Sequence, residues 1–384
     1  MTGNPSQAKP KVLIFRNELL PASETFIRAQ AAAMKLFEPR FVGVHASINP
    51  IELDSSATLV DSSSSLLGKV RRRAYWRSSF APAFYRKIGD IQPVLLHAHF
   101  ALDGAAALPI ARTLQIPLIV TLHGYDVTSS DTFLRRSVEG KVYIRRRSRL
   151  FSEASLFLCI SQFIYERAID RGFPRKRLRV HYTGTDLKMF DDSSLQRDPN
   201  LIVFVGRLVE KKGCRYLLDA LEVVRRSRPE VRLVMIGGGP LEHELHELSN
   251  SLSLPCEFLG SQSPETVKRY LGRARVFCVP SSAAASGDSE GLGMVFAEAQ
   301  AMGTPVVSFK HGGIPEVVLD GDTGLLGPER DTRTLAENLL MLLNDDEKWR
   351  QYSERGKQWV RQSFDIATQT SELENIYWQL LLAS

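Results

Sequence analysis

Short apolar runs alternate with longer mixed segments along the first half of the chain. Five of these runs have the length and composition of buried strands, namely "KVLIF" (11–15), "FVGV" (41–44), "VLLHAHF" (94–100), "PLIVTLHG" (117–124) and "SLFLCIS" (155–161). Helical patterns lie between them, including a segment from about Thr25 to Leu36. Strands that are apolar throughout and alternate with helices are typical of a parallel sheet covered on both faces. The pattern therefore predicts a doubly wound α/β domain over residues 1–190.

A second series of the same kind begins near residue 201. Its strand-like runs are "LIVFVGR" (201–207), "RLVMIGGG" (232–239), "CEFLG" (256–260), "VFCVPS" (276–281) and "PVVSF" (305–309). The polar stretch 191–200 predicts a linker. We therefore expect two Rossmann-like domains, residues 1–190 and 201–363, facing a central cleft. Residues 364–384 predict an amphipathic helix, for which packing back on the first domain and a plain terminal helix are the two alternatives.

Composition narrows the class of protein. The chain has 384 residues, of which 43% are hydrophobic and 24% are charged, as is ordinary for globular domains. No apolar run reaches the roughly 18 residues that a membrane span needs, and the N-terminal segment lacks the apolar core of a signal peptide. We therefore expect a cytoplasmic protein. The four cysteines are widely spaced, which favours free thiols over a disulfide frame or a zinc site.

The net charge of +6 is unevenly distributed. Two segments of the first half are strongly basic, "KVRRRAYWR" (69–77) and "RRSVEGKVYIRRRSRL" (135–150). Neither contains a nucleic-acid motif, so nucleic acid is not an expected partner. Solvated helix faces are one interpretation. The functional alternative is an anionic membrane surface, suggested by Tyr75 and Trp76 among the arginines, which would place the protein peripherally on the inner face of the cytoplasmic membrane.

The segment "SEGLGMVFAEAQAMGTPVV" carries the most specific chemistry. Glu290 precedes a turn with Gly291 and Gly293, and Glu298 lies about one turn inside the helix expected to begin near Met294. Glycines let a ligand approach the backbone, and the N–H groups of a helix N-terminus favour a phosphate. Carboxylates accept hydrogen bonds from hydroxyl groups. A ligand with hydroxyls on both sides of a diphosphate fits this order, as in a nucleotide-diphosphate sugar.

A diphosphate also needs positive charge nearby. Arg207 follows the strand "LIVFV", and Lys212 lies five residues later, before Gly213 and a helix. Both positions are at the carboxyl end of a strand, where open α/β sheets bind ligands. Arginine can clamp a phosphate with two hydrogen bonds and lysine adds a point charge, so the pair would stabilise a leaving diphosphate. Two ordinary surface charges are the alternative.

These segments together resemble a known family. "FVGRLVEKKG", "LVMIGGGPLEHEL", "FLGSQS", "VFCVPSS" and "SEGLGMVFAEAQAMGTPVVSFKHGGIPEVVLDGDTGLL" are similar to the C-terminal half of the retaining glycosyltransferases of family 4, which have the GT-B fold. The resemblance implies that Glu298 holds the ribose hydroxyls and that Glu290 contacts the transferred sugar. It implies that Arg207 and Lys212 bind the diphosphate. It also implies donor contacts along the turn and the helix start, at Gly291, Leu292, Gly293 and Met294.

The N-terminal half, which would bind the acceptor, is less similar. The segment "TLHGYDVT" places His123 after a strand, where similar enzymes carry a histidine near the donor sugar. His123 would orient the sugar hydroxyls or shape the anomeric centre through its backbone; a buried structural histidine is the alternative. We expect His97 and His99 to point to opposite faces of their strand, so that only one of them faces the cleft and the two cannot share a metal ion.

The loop after the first strand departs from the family. Many members have a glycine-rich loop there, whereas this chain has "RNELLPASETFIRAQ". Ser23, Glu24 and Thr25 resemble a subset linked to bacterial exopolysaccharide and lipopolysaccharide assembly, which implies contact with the acceptor. Ser23 can equally cap the helix that follows, and the position of the loop favours the cleft in both cases.

The resemblance also implies a reaction. An acceptor hydroxyl attacks the anomeric carbon on the face from which the diphosphate leaves, so that the α configuration is retained, and a phosphate oxygen takes the proton. A covalent intermediate on Glu290 is an alternative. "DGD" (320–322) stands in a glycine-rich turn and "GGGP" (237–240) lacks dinucleotide spacing, so we expect neither a metal ion nor a cofactor. The donor would be a UDP- or GDP-sugar, and the acceptor a lipid-linked oligosaccharide.

Other functions are compatible with the same fold. One is another GT-B enzyme, such as a nucleotide-sugar epimerase, which needs no acceptor, or a phosphorylase, which needs a pyridoxal phosphate lysine. A further alternative is a non-catalytic nucleotide-sugar-binding scaffold at the membrane. Transfer of sugar to an acceptor distinguishes the transferase from each of them.

Overall fold

The computed structural model describes residues 8–19, 21, 24–47, 57–63, 65–191 and 195–383. The chain divides into two compact units, Met1–Gly184 with Ile366–Ser384, and Thr185–Asp365. Each unit contains a fully parallel sheet, so the predicted fold class of two Rossmann-like α/β domains is confirmed.

The described part of the first unit contains seven strands. They are β1 (Lys11–Leu19), β2 (Glu38–Ala46), β3 (Thr58–Leu59), β4 (Pro93–His99), β5 (Leu118–Leu122), β6 (Leu156–Cys159) and β7 (Leu178–Val180), in the sheet order β3-β2-β1-β4-β5-β6-β7. Its helices up to residue 184 are α1 (Thr25–Ala32), α2 (Leu66–Ser78), α3 (Pro82–Asp90), α4 (Ala101–Leu114), α5 (Tyr125–Thr128), α6 (Asp131–Leu134), α7 (Val138–Glu153) and α8 (Gln162–Asp170). The strand order reverses between β1 and β4, and a crevice forms at such a switch point.

The second unit has six strands among its described residues. They are β8 (Leu201–Val205), β9 (Arg232–Ile236), β10 (Cys256–Phe258), β11 (Val276–Cys278), β12 (Val306–Phe309) and β13 (Gly324–Gly327), in the order β10-β9-β8-β11-β12-β13. The helices are α9 (Cys214–Arg225), α10 (Glu242–Ser251), α11 (Pro264–Arg273), α12 (Met294–Ala301), α13 (Ile314–Val317), α14 (Thr332–Asn344) and α15 (Asp346–Ser363); α16 (Ile366–Ala383) then returns to the first unit. The switch point of this sheet lies between β8 and β11, whose following loops carry Lys212 and Glu290.

Helix α16 is held to the first unit by apolar and polar contacts. Leu373, Ile376 and Tyr377 are buried in one core cluster with residues of β1 and β4. One oxygen of buried Glu374 accepts the backbone N–H groups of residues 35–37, at 2.6–3.0 Å. These contacts make α16 part of the core, although it is distant in sequence from the rest of that core.

The two basic segments lie on α2 and α7. Tyr75 and Trp76 of α2 are only 1% and 7% exposed, and the Tyr75 hydroxyl donates to Ala106 O at 2.7 Å. Both aromatic residues are therefore buried in the protein and do not face a membrane, and the Tyr75 hydroxyl fastens α2 to α4. Among the described residues no helix combines the length and the apolar character that crossing a membrane requires.

Candidate functional site

Two loops at the switch point of the second unit meet through an ion pair. Lys212 Nζ donates to Glu290 Oε2 at 2.6 Å, and Ser281 Oγ donates to the same oxygen at 3.2 Å. Lys212 ends a short 3-10 turn before α9, and Glu290 precedes α12. Only 12% and 11% of the Lys212 and Glu290 side chains are exposed. The structure thus brings together two of the residues that the sequence selected, 78 positions apart.

The Glu290 carboxyl is held in its ionised form. Burial by itself would raise its pKa, but the positive charges of Lys212 and Lys211 and the hydrogen bonds from Lys212 and Ser281 outweigh burial and lower the pKa to about 2. Glu290 is therefore a carboxylate at neutral pH, and it cannot donate a proton there. It can accept hydrogen bonds from hydroxyl groups or balance a positive charge.

The backbone of Glu290 is fixed by the loops after β12 and β13. Its N–H donates to His311 Nε2 at 3.3 Å, and its carbonyl accepts the Gly313 N–H at 3.0 Å. His311 Nδ1 lies 2.6 Å from Glu329 Oε1. Because Nε2 accepts in this arrangement, the His311 proton is assigned to Nδ1, which donates to Glu329. Glu329 also accepts the Ala283 N–H at 3.1 Å, so a single side chain joins two loops around Glu290.

The glycine turn and the helix start have the predicted form. Helix α12 begins at Met294, and Gly293 occupies its N-cap position with φ of 84°. A Cβ at Gly293 would lie 2.5 Å from the Phe296 ring, so the position requires glycine. No side chain caps α12, which leaves the N–H groups of its first turn suited to an anion. Gly291 and Leu292 are buried, so they offer a ligand mainly their backbone.

Glu298 differs from Glu290 in its surroundings. It lies in the second turn of α12 and is half-buried, and its side chain forms no hydrogen bond or ion pair with any residue of the described ranges. Burial raises the pKa of its carboxyl to about 7. The pKa values of two carboxyl groups eight residues apart are therefore shifted in opposite directions. A ligand hydroxyl that donates a hydrogen bond would stabilise the charged form of the Glu298 carboxyl.

Arg207 stays outside this set of contacts. Its side chain is exposed and forms no ion pair or hydrogen bond with residues that the structure describes. The backbone beside it is fixed by the loop after β9, since the N–H of the next residue, Leu208, donates to Gly238 O at 3.0 Å. The second unit thus joins Lys212 with Glu290, whereas the described side chains of Arg207 and Glu298 form no ion pair or hydrogen bond with either of them.

Three histidines of the first unit form one stack. The rings of His97 and His99 lie 4.6 Å apart, and those of His99 and His123 lie 5.2 Å apart. The expectation that His97 and His99 would point to opposite faces is wrong: residues two apart in a strand share a face, because the side-chain period is two. His97 is held by Tyr377 at 2.6 Å and Thr121 at 2.7 Å, and burial lowers its pKa to about 3.

His123 is the member of the stack nearest the surface. It is half-buried, and its Nε2 lies 3.0 Å from His99 Nδ1, whereas Nε2 of His99 is buried without a partner among the described residues. Burial lowers the pKa of His123 well below the usual value. Its backbone N–H donates to Asp126 Oδ1 at 3.2 Å, and the other oxygen of Asp126 accepts the Ala101 N–H at 2.8 Å. The ring of His123 is therefore neutral and rigidly placed.

A buried charge cluster lies at the same end of the sheet. Arg16 of β1 is bonded to both carboxylate oxygens of Glu24 and to Asp103 of α4. Its guanidinium carbon lies 4.5 Å above the ring of Phe100, and that ring is 4.5 Å from His123. Burial raises the pKa of Asp103 to about 6 even though Arg16 favours the charged form. The predicted acceptor residue Glu24 is thus engaged by Arg16.

The other acceptor-side predictions have separate outcomes. Ser23 lies outside the described residues. The N-cap position of α1 is occupied by Glu24, whose side chain makes no capping hydrogen bond, and Thr25 is the exposed first residue of the helix.

Sequence reasoning missed Arg16, Asp103, His311 and Glu329. A signal existed for Arg16, since it is a charged residue inside the apolar run "KVLIFRNEL" and a buried charge requires a partner. Asp103 stands similarly alone in the alanine-rich α4. Nothing local marks His311 or Glu329, because His311 matters through its contact with Glu290 and Glu329 through its contact with His311.

The "DGD" segment is a turn, as predicted. Asp320 Oδ1 accepts the Leu326 N–H at 2.9 Å, and Asp322 Oδ1 lies 3.0 Å from Arg355 Nε. Within the described residues no group of three or more histidine, cysteine, aspartate or glutamate side chains is arranged to hold a metal ion.

Comparison with known families gives two matches that together span most of the chain. Residues 186–359 match the model "Glycosyl transferases group 1", and residues 27–189 match "Glycosyltransferase Family 4". An amylovoran biosynthesis glycosyltransferase of Erwinia amylovora is 33% identical over 64% of this chain and 60% of its own length. A putative colanic acid biosynthesis glycosyltransferase of Escherichia coli is 32% identical over 63% and 59%. The chain thus spans about three fifths of the length of these relatives.

Solved structures show the same fold. HepE of Anabaena, crystallised with UDP and glucose, superposes with a TM-score of 0.75 at 20% identity, over 96% of this chain and 99% of that one. Sucrose-phosphate synthase of Thermosynechococcus elongatus gives 0.75 at 20% identity, over 98% and 100%. The predicted GT-B fold class is thereby confirmed.

Proposed function

The chain belongs to the glycosyltransferase family that these two models describe, and on that premise we propose that it transfers a hexose from a nucleotide-diphosphate sugar to a hydroxyl group of an oligosaccharide. The relatives named above are an amylovoran and a putative colanic acid biosynthesis glycosyltransferase. The acceptor is therefore proposed to belong to a bacterial cell-surface polysaccharide, an exopolysaccharide or a lipopolysaccharide.

One arrangement carries the proposal. A paired, ionised carboxylate, an uncapped helix N-terminus and an unpaired carboxyl follow one another within residues 290–298. A nucleotide sugar presents a hexose, a diphosphate and a ribose in the same order. Glu290 would accept hydrogen bonds from the sugar, the first turn of α12 would bind the diphosphate, and Glu298 would hold the ribose hydroxyls.

We propose retention of the α configuration. The acceptor oxygen forms a bond to the anomeric carbon as the bond from that carbon to the diphosphate oxygen breaks, on the same face of the sugar. The proton of the acceptor hydroxyl passes to a phosphate oxygen, so no separate base is needed. The charge that develops on the diphosphate would be stabilised by Arg207, Lys212 and the N–H groups of α12, which is the basis for proposing a metal-independent reaction.

The first unit would supply the acceptor side. His123 is neutral and held in place by His99 and Asp126, which suits it to hydrogen-bond a sugar hydroxyl. Its backbone N–H already donates to Asp126, which favours the ring over the backbone for that role. We further propose that the acceptor is lipid-linked and that the protein works peripherally at the inner face of the cytoplasmic membrane. The exposed basic residues of α2 and α7 support that placement.

Binding of nucleotides tests the donor site first. A thermal-shift panel would compare UDP, GDP, ADP, TDP and CMP, with UDP first because HepE was crystallised with it. A ligand at about 100 times its Kd adds about 2.7 kcal/mol of stability, which is readily seen. A shift with one nucleotide supports the donor site and names the base. No shift with any nucleotide would count against the donor site and therefore against the proposed transfer.

Steady-state kinetics on two variants then separate the roles of the site residues. Glu298→Gln should raise the donor KM, whereas Arg207→Ala should lower kcat as well, because Arg207 acts on the leaving group. Arg207 is the better test than Lys212, since its side chain is exposed and removal disturbs no described contact, whereas removal of Lys212 leaves Glu290 buried without its partner. A normal donor KM in Glu298→Gln would contradict the assignment.

A further inference from the structure

A groove of about 850 Å³ opens in the first unit between α2, α7 and the carboxyl end of β2. The charges along it have nearly one sign, since its lining includes seven lysines and arginines but one glutamate, Glu139. Its lining also includes apolar side chains such as Trp76 and Val142. The volume is in the range of a small-molecule site, about 300–1,000 Å³, and the charge favours an anion.

Most of these positive charges have no counter-charge within the described part of the chain. Arg72 donates to Ser63 O at 2.7 Å and lies 3.9 Å from Asp61. The other six side chains form no ion pair or hydrogen bond with any described residue, and they are Lys69, Arg73, Arg77, Arg135, Lys141 and Arg145. Like charges that converge without partners repel one another, and a bound polyanion would relieve that repulsion.

Apolar side chains are exposed beside the groove. On α2, Leu66 is 80% exposed, Leu67 is 59% and Val70 is 54%, and Val138 at the start of α7 is 58%. Val138 itself lines the groove. A basic cavity with an exposed apolar margin fits a molecule that has an anionic head and a hydrocarbon chain.

The groove opens at the edge of the sheet where the acceptor-side residues of the same unit lie. His45 at the end of β2 lines it, and in the parallel pairing of β1 with β2 His45 is opposite Glu18, two residues beyond Arg16. Arg16 holds Glu24 and Asp103. A head group in the groove would therefore lie at the end of the sheet where the Arg16 cluster is found.

We propose that this groove binds the diphosphate of the lipid-linked acceptor, with the lipid chain running over the exposed apolar face of α2. The proposal rests on the proposed function, because it names the part of the acceptor that the first unit would hold. The sugar end of the acceptor would then extend toward the Arg16 cluster and His123.

Isothermal titration with farnesyl diphosphate, a soluble isoprenyl diphosphate, tests the groove directly. Two control ligands separate the parts of this molecule: inorganic pyrophosphate represents the head group without the chain, and farnesol represents the chain without the diphosphate. The test variant is Arg73→Gln with Arg145→Gln. The matched control is Arg71→Gln with Arg149→Gln, which removes the same charge from the same two helices outside the groove. All four side chains are exposed, so the variants should fold, as melting curves would verify.

We expect farnesyl diphosphate to bind, the test variant to weaken it by about tenfold or more, and the control variant to change it by less than about threefold. Pyrophosphate should bind more weakly and compete, and farnesol alone should not bind. Equal loss in both variants, or binding of farnesol as tight as that of the diphosphate, would overturn the proposal.

A vesicle arm separates the acceptor from the bulk membrane. The test and control double variants are also compared for binding to phosphatidylglycerol vesicles. If both lose vesicle binding equally and neither double variant binds farnesyl diphosphate, the surface is a general membrane contact and the groove proposal fails. The nucleotide panel is independent of this result. If the protein binds farnesyl diphosphate but no nucleotide, only the proposed function fails. If it binds a nucleotide but not farnesyl diphosphate, only the groove proposal fails.

Discussion

At the scale of single residues, Glu290 and Glu298 show how environment assigns different tasks to one side chain. The pKa of Glu290 is held at about 2 because Lys212 and Lys211 outweigh burial. The pKa of Glu298 is raised to about 7 because burial acts without a described partner. The negative charge of Glu290 is already balanced by protein groups, whereas the charged form of Glu298 is stabilised only when a ligand supplies hydrogen bonds.

The raised pKa of Glu298 predicts a pH-dependent penalty. The folded state binds the proton more tightly than the unfolded chain does between pH 4.5 and about 7, so the carboxyl lowers stability as the pH rises through that window. The free energy of unfolding of Glu298→Gln, relative to that of the wild type, should therefore rise by about 1–3 kcal/mol when the pH is raised from 5 to 8. Urea unfolding at both pH values measures it, with exposed Glu257→Gln as control. A constant difference across pH would mean that Glu298 titrates normally.

The contact between His311 and Glu290 predicts a positioning role. His311→Ala leaves the Glu290 N–H and the Glu329 carboxylate without this partner, which should destabilise the second unit by about 1–3 kcal/mol and lower kcat more than it raises the donor KM. His311→Gln, whose carbonyl oxygen can approach the position of Nε2, should recover part of kcat. If kcat falls only in proportion to the fraction unfolded, the role of His311 is structural alone.

At the scale of elements, the loops at the carboxyl ends of the strands carry the site, and their glycines decide how closely they approach. Gly312, after β12, has φ of 57°, and a Cβ there would lie 2.2 Å from Glu290 O. Gly321 has φ of 77° but nothing within 4 Å of its Cβ position. The two glycines share a backbone conformation and differ in their contact with the site.

This pair gives a matched substitution test. Gly321→Ala should cost only the left-handed strain, about 1 kcal/mol. Gly312→Ala should cost about 2–4 kcal/mol, because it also pushes against the Glu290 backbone, and it should weaken donor binding. Urea unfolding and the nucleotide thermal shift measure both effects. An equal decrease in the free energy of unfolding of the two variants would show that the contact with Glu290 does not contribute to stability.

At the scale of the whole molecule, the chain leaves the first unit at residue 184 and returns to it at residue 366. The Thr185 N–H donates to Phe364 O at 2.7 Å, so the two passages are adjacent. The last helix, α16, then completes the first core, and Glu374 accepts three backbone N–H groups of the α1–β2 connection. Folding of the first unit therefore depends on residues that follow the whole second unit in the sequence.

Substitution of Glu374 tests this dependence. Glu374→Ala leaves three backbone N–H groups without this acceptor and should destabilise the first unit by about 3–5 kcal/mol. Hydrogen exchange should show the loss in β1 and β4 and not in β8 and β11. Exposed Glu372→Ala on the same helix is the control. Equal acceleration of exchange in both sheets would show that the two units unfold together.

The sequence by itself determined the strands and helices that have a strong local pattern. Apolar runs of four or more residues gave both sheets, and the glycine turn before Met294 gave the start of α12, because periodicity and turn chemistry are local. The short strands β3, β7 and β13 were missed, since their segments mix apolar residues with polar residues or glycine and form no continuous apolar run. That His97 and His99 share a face also followed from spacing alone, although our expectation was the opposite.

Only the tertiary structure decided which side chains meet. Lys212 and Glu290 are 78 residues apart, and Arg16 and Asp103 are 87 apart. Their pairing follows from which strands become neighbours at the switch points, which no local pattern encodes. The same holds for burial of Tyr75, which looks like a surface residue among arginines but packs against α4. Composition and periodicity fix what each segment can form, whereas pKa values and contacts depend on the neighbours that folding brings together.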